Sequence, residues 1–236
     1  SASVVCLTLD QFYGKFENIR KNVQLRNLIL TSVKDVLSPI KRKGYYLVEG
    51  RKIKKVPANA EIIWWERFLM DGRKYHGPFH TVCKAEDPAV ILYSGGTTGT
   101  MKGILLSNLN FNALSQQIIA TNPMFRPGDK MLAVMPIFHG FGLGVCIHSM
   151  LANGGRCLLI PRFNPESYAK LLKKHKPNFI AGVPTLYEAL LRIKSLDRVD
   201  LSCLKGVFSG GDSLSIELKK RFDAFLKEHN ASIPVR

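Results

Sequence analysis

The chain has 236 residues, 46% of them apolar and 22% charged, which suits a folded domain with a sizeable core and excludes a disordered tail or a fibrous repeat. Its 34 basic and 18 acidic residues leave a net charge of +16, a field that favours anionic partners: phosphorylated metabolites, nucleic acid or a membrane surface. Five cysteines, never spaced C-x-x-C, argue against a disulfide framework and for a reducing compartment, and no secretory signal opens the chain, so the expected location is the cytoplasm. The opening Ser1 and closing Arg236 give the expectation of a piece cut from a longer protein.

In chain order, Val4–Leu9 reads as a strand, Gln11–Val23 as a helix and Leu28–Val33 as a second strand. Seven basic residues against Glu49 crowd Lys41–Lys55, where Gly44–Val48 turning into Arg51–Val56 is expected to form a solvated hairpin. No recognition motif accompanies that charge, so nucleic-acid binding is disfavoured. Glu61–Met70 reads as a helix with Trp64, Trp65 and Phe68 as packing area, and Lys74–Pro88 as a surface connection. Strands are expected at Ala89–Tyr93 and Gly103–Leu106, followed by a helix over Leu109–Ile119 opened by Ser107. Turn signals at Asn122–Asp129 suggest a boundary between two subdomains, 1–125 and 126–236.

From Met131 to Gly155 the chain has no charged residue, long enough to span a bilayer, yet Pro136, His139, His148, Asn153 and five glycines interrupt it. A buried strand over Met131–Pro136, a loop and a buried helix over Leu143–Leu151 account for it better. Then come a strand at Cys157–Ile160 and a helix opened by Asn164–Pro165 with Tyr168, Leu171 and Leu172 on one face. Strands at Phe179–Val183 and Gly206–Phe208 follow. A last helix carries Leu214, Leu218, Phe222, Phe225 and Leu226 after a Ser213 or Ser215 cap. Strands alternating with helices predict an α/β fold with mostly parallel, buried sheets.

The densest chemical signal is Tyr93-Ser-Gly-Gly-Thr-Thr-Gly-Thr-Met-Lys-Gly103, a loop between two strands. Gly95, Gly96 and Gly99 let backbone N–H groups turn inward, Ser94, Thr97, Thr98 and Thr100 add hydroxyl donors, and Lys102 adds a point charge; together they suit phosphate. It is not the P-loop, since no Gly-Lys pair opens a helix. Gly140, Gly142 and Gly144 do not form the dinucleotide fingerprint, and Ser209 lacks the glycine two residues before it that a hydrolase elbow requires. His76, His80 and Cys83 have ligand-like spacing, but Pro78 breaks any helix and no fourth ligand is evident, so no protein-held metal is expected.

Residues 93–103 resemble the phosphate loop of the adenylate-forming enzymes, a family that includes acyl-CoA synthetases, luciferases and nonribosomal adenylation domains. The Gly-Gly pair at 95–96 is similar to the variant of bacterial fatty-acyl-CoA ligases. Three further segments match in order: Pro136-Ile-Phe-His-Gly-Phe-Gly142, Gly182-Val-Pro-Thr-Leu186 and Ser209-Gly-Gly-Asp-Ser-Leu214. Asp212 stands where the family commonly has Ala or Glu, and Asn108 replaces a usual His two residues before Asn110. The match is strong over roughly residues 85–236 and only general before that.

The resemblance implies parts of two αβα subdomains of a large N-terminal domain, with the C-terminal domain absent. It implies that the parent joins a carboxylic acid to ATP, assisted by Mg2+, giving acyl-AMP, and then passes the acyl group to coenzyme A. His139 and Lys102 would be catalytic, and Ser94 to Thr100 with Lys102 would hold the phosphates. Ser209, Gly210, Gly211, Asp212 and Ser213 would approach adenine and the acyl-adenylate, and Phe141, Gly142, Val183, Pro184 and Leu186 would border the acyl chain. Medium- or long-chain fatty acids are the expected substrates, with peripheral membrane contact and without nucleic acid. The 236 residues alone are expected to be inactive. The alternatives are a non-catalytic nucleotide- or phosphate-binding module and adenylation of an aromatic or amino acid.

Overall fold

The computed structural model describes residues 4–20, 22–58, 61–95 and 101–236. The chain divides into two compact units, Ser1–His80 and Thr81–Arg236.

In the first unit, β1 (Val5–Leu9) leads through a short 3₁₀ turn into α1 (Tyr13–Arg20), so the expected helix over 11–23 is shorter than its apolar spacing suggested. β2 (Asn27–Thr31) pairs parallel with β1 and buries Leu28, Ile29 and Leu30. Next comes α2 (Pro39–Val48), which overturns the hairpin expected at 44–56. Pro39 at the first helical position presets φ, Ser38 sits at the cap, and the helix satisfies its own amides where no partner strand is at hand. A 3₁₀ turn, Gly50–Lys52, follows. Ile63–Trp64 forms β3, drawn out of the expected helix by parallel pairing with Ile29 and Leu30, and α3 (Trp65–Gly72) begins immediately after it.

The second unit opens with an antiparallel hairpin, β4 (Pro88–Gly95) and β5 (Met101–Ser107), in which Ser94 faces Lys102 and Tyr93 faces Gly103. Ile91, Tyr93, Ile104 and Leu105 of this hairpin are exposed. Ser107 caps α4 (Asn108–Ala120) in a reciprocal box: its hydroxyl accepts from the Asn110 amide at 3.3 Å, and its own amide donates to Asn110 Oδ1 at 2.9 Å. The turn at 122–129 joins α4 to β6 (Lys130–Ala133).

A π-helical stretch, Phe141–His148, runs into α5 (Ser149–Ala152) and occupies the place of the helix expected over 143–151. β7 (Arg156–Leu159), α6 (Pro165–His175), β8 (Phe179–Gly182), α7 (Pro184–Leu190), β9 (Gly206–Ser209) and α8 (Ile216–Glu228) complete the unit. Asn164 caps α6 by accepting from the Ser167 amide at 2.9 Å, and Ser215 rather than Ser213 caps α8.

The four strands are parallel in the order β7-β6-β8-β9, and alternation along each strand sends side chains to both faces. Leu132, Ile180 and Val207 meet Tyr168, Leu172, Tyr187, Leu190, Phe222 and Leu226 from α6, α7 and α8. On the other face Met131, Ala133, Phe179 and Ala181 meet Cys146 and Met150. Helices on both faces of a parallel sheet make this a doubly wound α/β unit. The opposite, amino-terminal rim is tied by Asp129, nearly buried, which pairs with Lys205 at 2.7 Å and accepts from the Arg126 amide at 2.8 Å.

All five cysteines are free. Burial pushes the Cys146 thiol up to about 12, with the neighbouring Cys157 adding to the shift, whereas Cys83 is exposed. A raised pKa leaves less thiolate at any given pH. Iodoacetamide at pH 8 is therefore expected to modify Cys83 first and Cys146 only in molecules that have opened, a ranking that peptide mass spectrometry reads. Equal labelling of the two would show that the face carrying Cys146 is not closed.

Candidate functional site at the sheet switch point

β6 is followed in space by β7 on one side and β8 on the other, so the connections leaving β6 and β8 part toward opposite faces. A crevice outside the carboxyl ends of the strands is the expected result, and ligands of open α/β sheets bind there. Three of the segments singled out in the sequence leave the sheet at this rim: 136–142 after β6, 183–186 after β8 and 209–214 after β9.

The segment after β6 is a tight turn. The His139 amide donates to Pro136 O at 3.1 Å and the Leu143 amide to His139 O at 2.9 Å. The imidazole is exposed, and its Nδ1 accepts from the Phe141 amide at 3.2 Å. In the neutral ring that bond assigns the proton to Nε2, leaving an N–H free to donate to an anionic oxygen. Gly142 is buried, and a Cβ there would lie 2.2 Å from Pro136 O; only glycine lets the turn close on itself. The π-helical winding is preceded by Gly140 and contains Gly142 and Gly144, and Ser149 Oγ donates to Gly144 O at 2.8 Å. Such windings are rare and concentrate at functional sites.

Across the crevice, the Gly210 amide donates to Gly182 O at 3.2 Å, locking the turn after β9 to the end of β8. A Cβ on Gly210 would lie 3.1 Å from the Phe141 ring, and one on Gly211, at φ +81°, 3.3 Å from Val183 Cγ1. Phe141, Val183, Gly210 and Gly211 are thus brought together. Ser209 Oγ is buried with no hydrogen-bond partner among the described residues, and Asp212 turns back to accept from the Ser213 amide at 2.7 Å. The Ser209 hydroxyl therefore has unused hydrogen-bonding capacity at this rim.

Lys102 and Ser94 face each other on the hairpin, and Lys102 is exposed. The hairpin reaches the site through Leu92, whose Cδ1 would lie 3.4 Å from a Cβ on Gly140. Gly95 ends β4; Gly96, Thr97, Thr98, Gly99 and Thr100 lie outside the described residues. Among the described residues no group of three or more His, Cys, Asp or Glu side chains is placed to hold a metal ion.

Beside the crevice opens a cleft of about 870 Å³, lined by Met135–Phe138 after β6, Ile160–Phe163 after β7, and Val183, Thr185 and Leu186. Of the residues expected to border an acyl chain, Val183 and Leu186 line it. Phe141 stands against Gly210 after β9, Gly142 packs under Met135 and Pro136, and Pro184 is buried at the start of α7. Sequence reasoning missed Ile137, Phe138, Phe163 and Arg162, the one ionisable residue on this lining among the described residues. Their signal was topological: each follows a strand that ends at the same rim.

Fold and rim together define a doubly wound α/β unit with a crevice at its strand ends and an adjoining apolar cleft. A family model described as "AMP-binding enzyme" matches residues 9–233, and the chain belongs to that family. The chain is 30% identical over 221 residues to a long-chain-fatty-acid–CoA ligase of Bacillus subtilis (strain 168), covering 93% of this chain and 40% of that protein. It is 34% identical over 158 residues to a probable 4-coumarate–CoA ligase 3 of Dictyostelium discoideum, covering 64% of this chain and 28% of the other. Among solved structures, the anthranilate CoA ligase AuaEII in complex with anthranoyl-AMP superposes with a TM-score of 0.75 at 20% identity, over 99% of this chain and 40% of that one. The chain thus spans well under half the length of these relatives.

Proposed function

We propose that the chain carries the nucleotide- and acyl-binding part of an ATP-dependent acid–thiol ligase acting on medium- or long-chain fatty acids. In the first half-reaction a carboxylate oxygen attacks the α-phosphorus of ATP and the bond to pyrophosphate breaks, giving acyl-AMP. In the second, the thiol of coenzyme A attacks the acyl carbon and AMP leaves.

The observation that carries this reading is the apolar cleft meeting the crevice where His139, Ser209 and the 210–211 glycines stand. An attacking carboxylate and a triphosphate are both anions, so the reaction needs fixed donors where charge gathers. The Nε2–H of His139 and the ammonium of Lys102 are such donors. The cleft offers aliphatic and phenyl walls and, among the described residues, no acidic side chain that an amino acid's ammonium would need. That supports a hydrocarbon chain, as does the similarity to the Bacillus ligase. The similarity to a coumarate ligase keeps an aromatic acid as the second reading. Residues 1–125 and 126–236 would belong to two subdomains of the parent, and the 236 residues alone would not complete the reaction.

The test is acid-dependent pyrophosphate exchange by the longer protein that contains this chain, with a panel from octanoate to hexadecanoate beside coumarate and anthranilate. Exchange that rises with the fatty acids supports the proposal, and exchange with the aromatic acids alone replaces the substrate class. ATP binding without exchange for any acid would leave only a nucleotide-binding module.

A further inference from the structure

The helix that replaces the expected hairpin has an unpartnered side. Ile40, Gly44 and Leu47 recur at i, i+4 and i+7 with Val48 beside them, so they share one face of α2. That face meets solvent: Ile40 is 85%, Leu47 58% and Val48 64% exposed, and Val36 just ahead of the helix is 82% exposed. Single exposed aliphatic side chains need no explanation, but four gathered at one helix are an interaction surface.

Charge identifies the partner. Lys41 and Lys43 fall on the two flanks of the aliphatic face, and Arg51, Lys52, Lys54 and Lys55 follow in the next turns. The one acid in the segment, Glu49, is paired with Lys52 at 3.4 Å. The basic side chains are exposed, and long lysine stems can rest on an apolar surface while the ammonium stays in water. We propose that α2 and the turn after it form a docking surface for an anionic lipid bilayer, with the aliphatic face entering the headgroup boundary and the cations resting on the lipid phosphates. Ten residues are too few to cross a bilayer, and among the described residues no helix is long and apolar enough to do so; α2 lies in the plane of the surface. A nucleic acid would answer the charge but leave Ile40, Leu47 and Val48 in water. This surface stands independently of the ligase reading.

Sedimentation of the 236-residue chain with vesicles is the test. Vesicles of phosphatidylcholine with phosphatidylglycerol should carry the chain down, phosphatidylcholine alone should do so weakly, and added salt should weaken both. Replacing Lys41 and Lys43 by glutamine should lower partitioning roughly 30-fold, at about a factor of five for each cation near the surface. Ile40→Ser with Leu47→Ser should lower it about tenfold or more, through the lost apolar burial. Lys170→Gln with Lys174→Gln, on α6, should change it little. All these side chains are exposed, so far-UV circular dichroism and melting temperature should match the unaltered chain. Equal binding to both vesicle types would overturn the proposal, as would binding to neither. So would binding to the anionic vesicles that survives the Ile40 and Leu47 changes, because charge alone would then account for it.

Discussion

Replacing Lys102 by alanine in the longer protein is expected to lower acid-dependent pyrophosphate exchange on the order of 100-fold. The lysine is held on β5 directly across from Ser94, so its stem starts from a fixed strand rather than from a loop tip. In the proposed reaction its ammonium sits where negative charge collects as the bond to pyrophosphate breaks, and removal of one preorganised donor from such a site costs roughly that factor. The two kinetic constants separate the roles. Loss confined to kcat places the charge on the transition state, whereas a raised KM for ATP at constant kcat places it on ground-state binding. Lys170→Ala, an exposed change on α6, is the control that should leave exchange unaltered. Full exchange by the Lys102→Ala enzyme would remove the hairpin from the proposed mechanism.

The second large effect is structural. A Cβ on Gly142 would lie 2.2 Å from Pro136 O, 2.7 Å from Met135 O and 2.8 Å from Pro136 C. All three atoms are backbone, so no rotamer change relieves the overlap, and the turn that presents His139 must open. Gly142→Ala is expected to cost on the order of 3 kcal/mol, at the upper end for overpacking. For a unit of this size that is a fall of roughly 10 °C in melting temperature, read by calorimetry. Gly14 is the contrast: it lies within α1, a Cβ there meets nothing within 4 Å, and Gly14→Ala should stabilise slightly. If Gly142→Ala melts with the unaltered chain, the turn is looser than its contacts indicate.

Local rules reached far into this fold. Every strand expected from a short apolar run forms, and the caps at Ser107 and Asn164, with Ser215 as one of two candidates, were legible because a side-chain oxygen three residues before a free amide is a purely local device. The hairpin expected at 44–56 is replaced by a helix because Ser38–Pro39, upstream of the expected turn, supply a helix start. β3 was missed because two residues carry no period of their own; their strand geometry comes from Ile29 and Leu30, more than thirty positions away in sequence. For the site, the motif residues after β6, β8 and β9 were readable as a set. Phe163 and Arg162 were not, since they join the cleft only through the order in which parallel strands are laid down.

The β4–β5 hairpin is two-stranded among the described residues, with exposed side chains at Ile91, Tyr93, Ile104 and Leu105, while β6 and β8 are flanked by strands and covered on both faces. Free energies of local opening follow such differences, so the arm carrying Ser94 and Lys102 yields at a fraction of the work needed to part the sheet below it. A ligand gripped between them would find one compliant jaw and one rigid jaw. Its binding would register as tightening of the hairpin, with the strand ends that hold His139 and Ser209 unmoved.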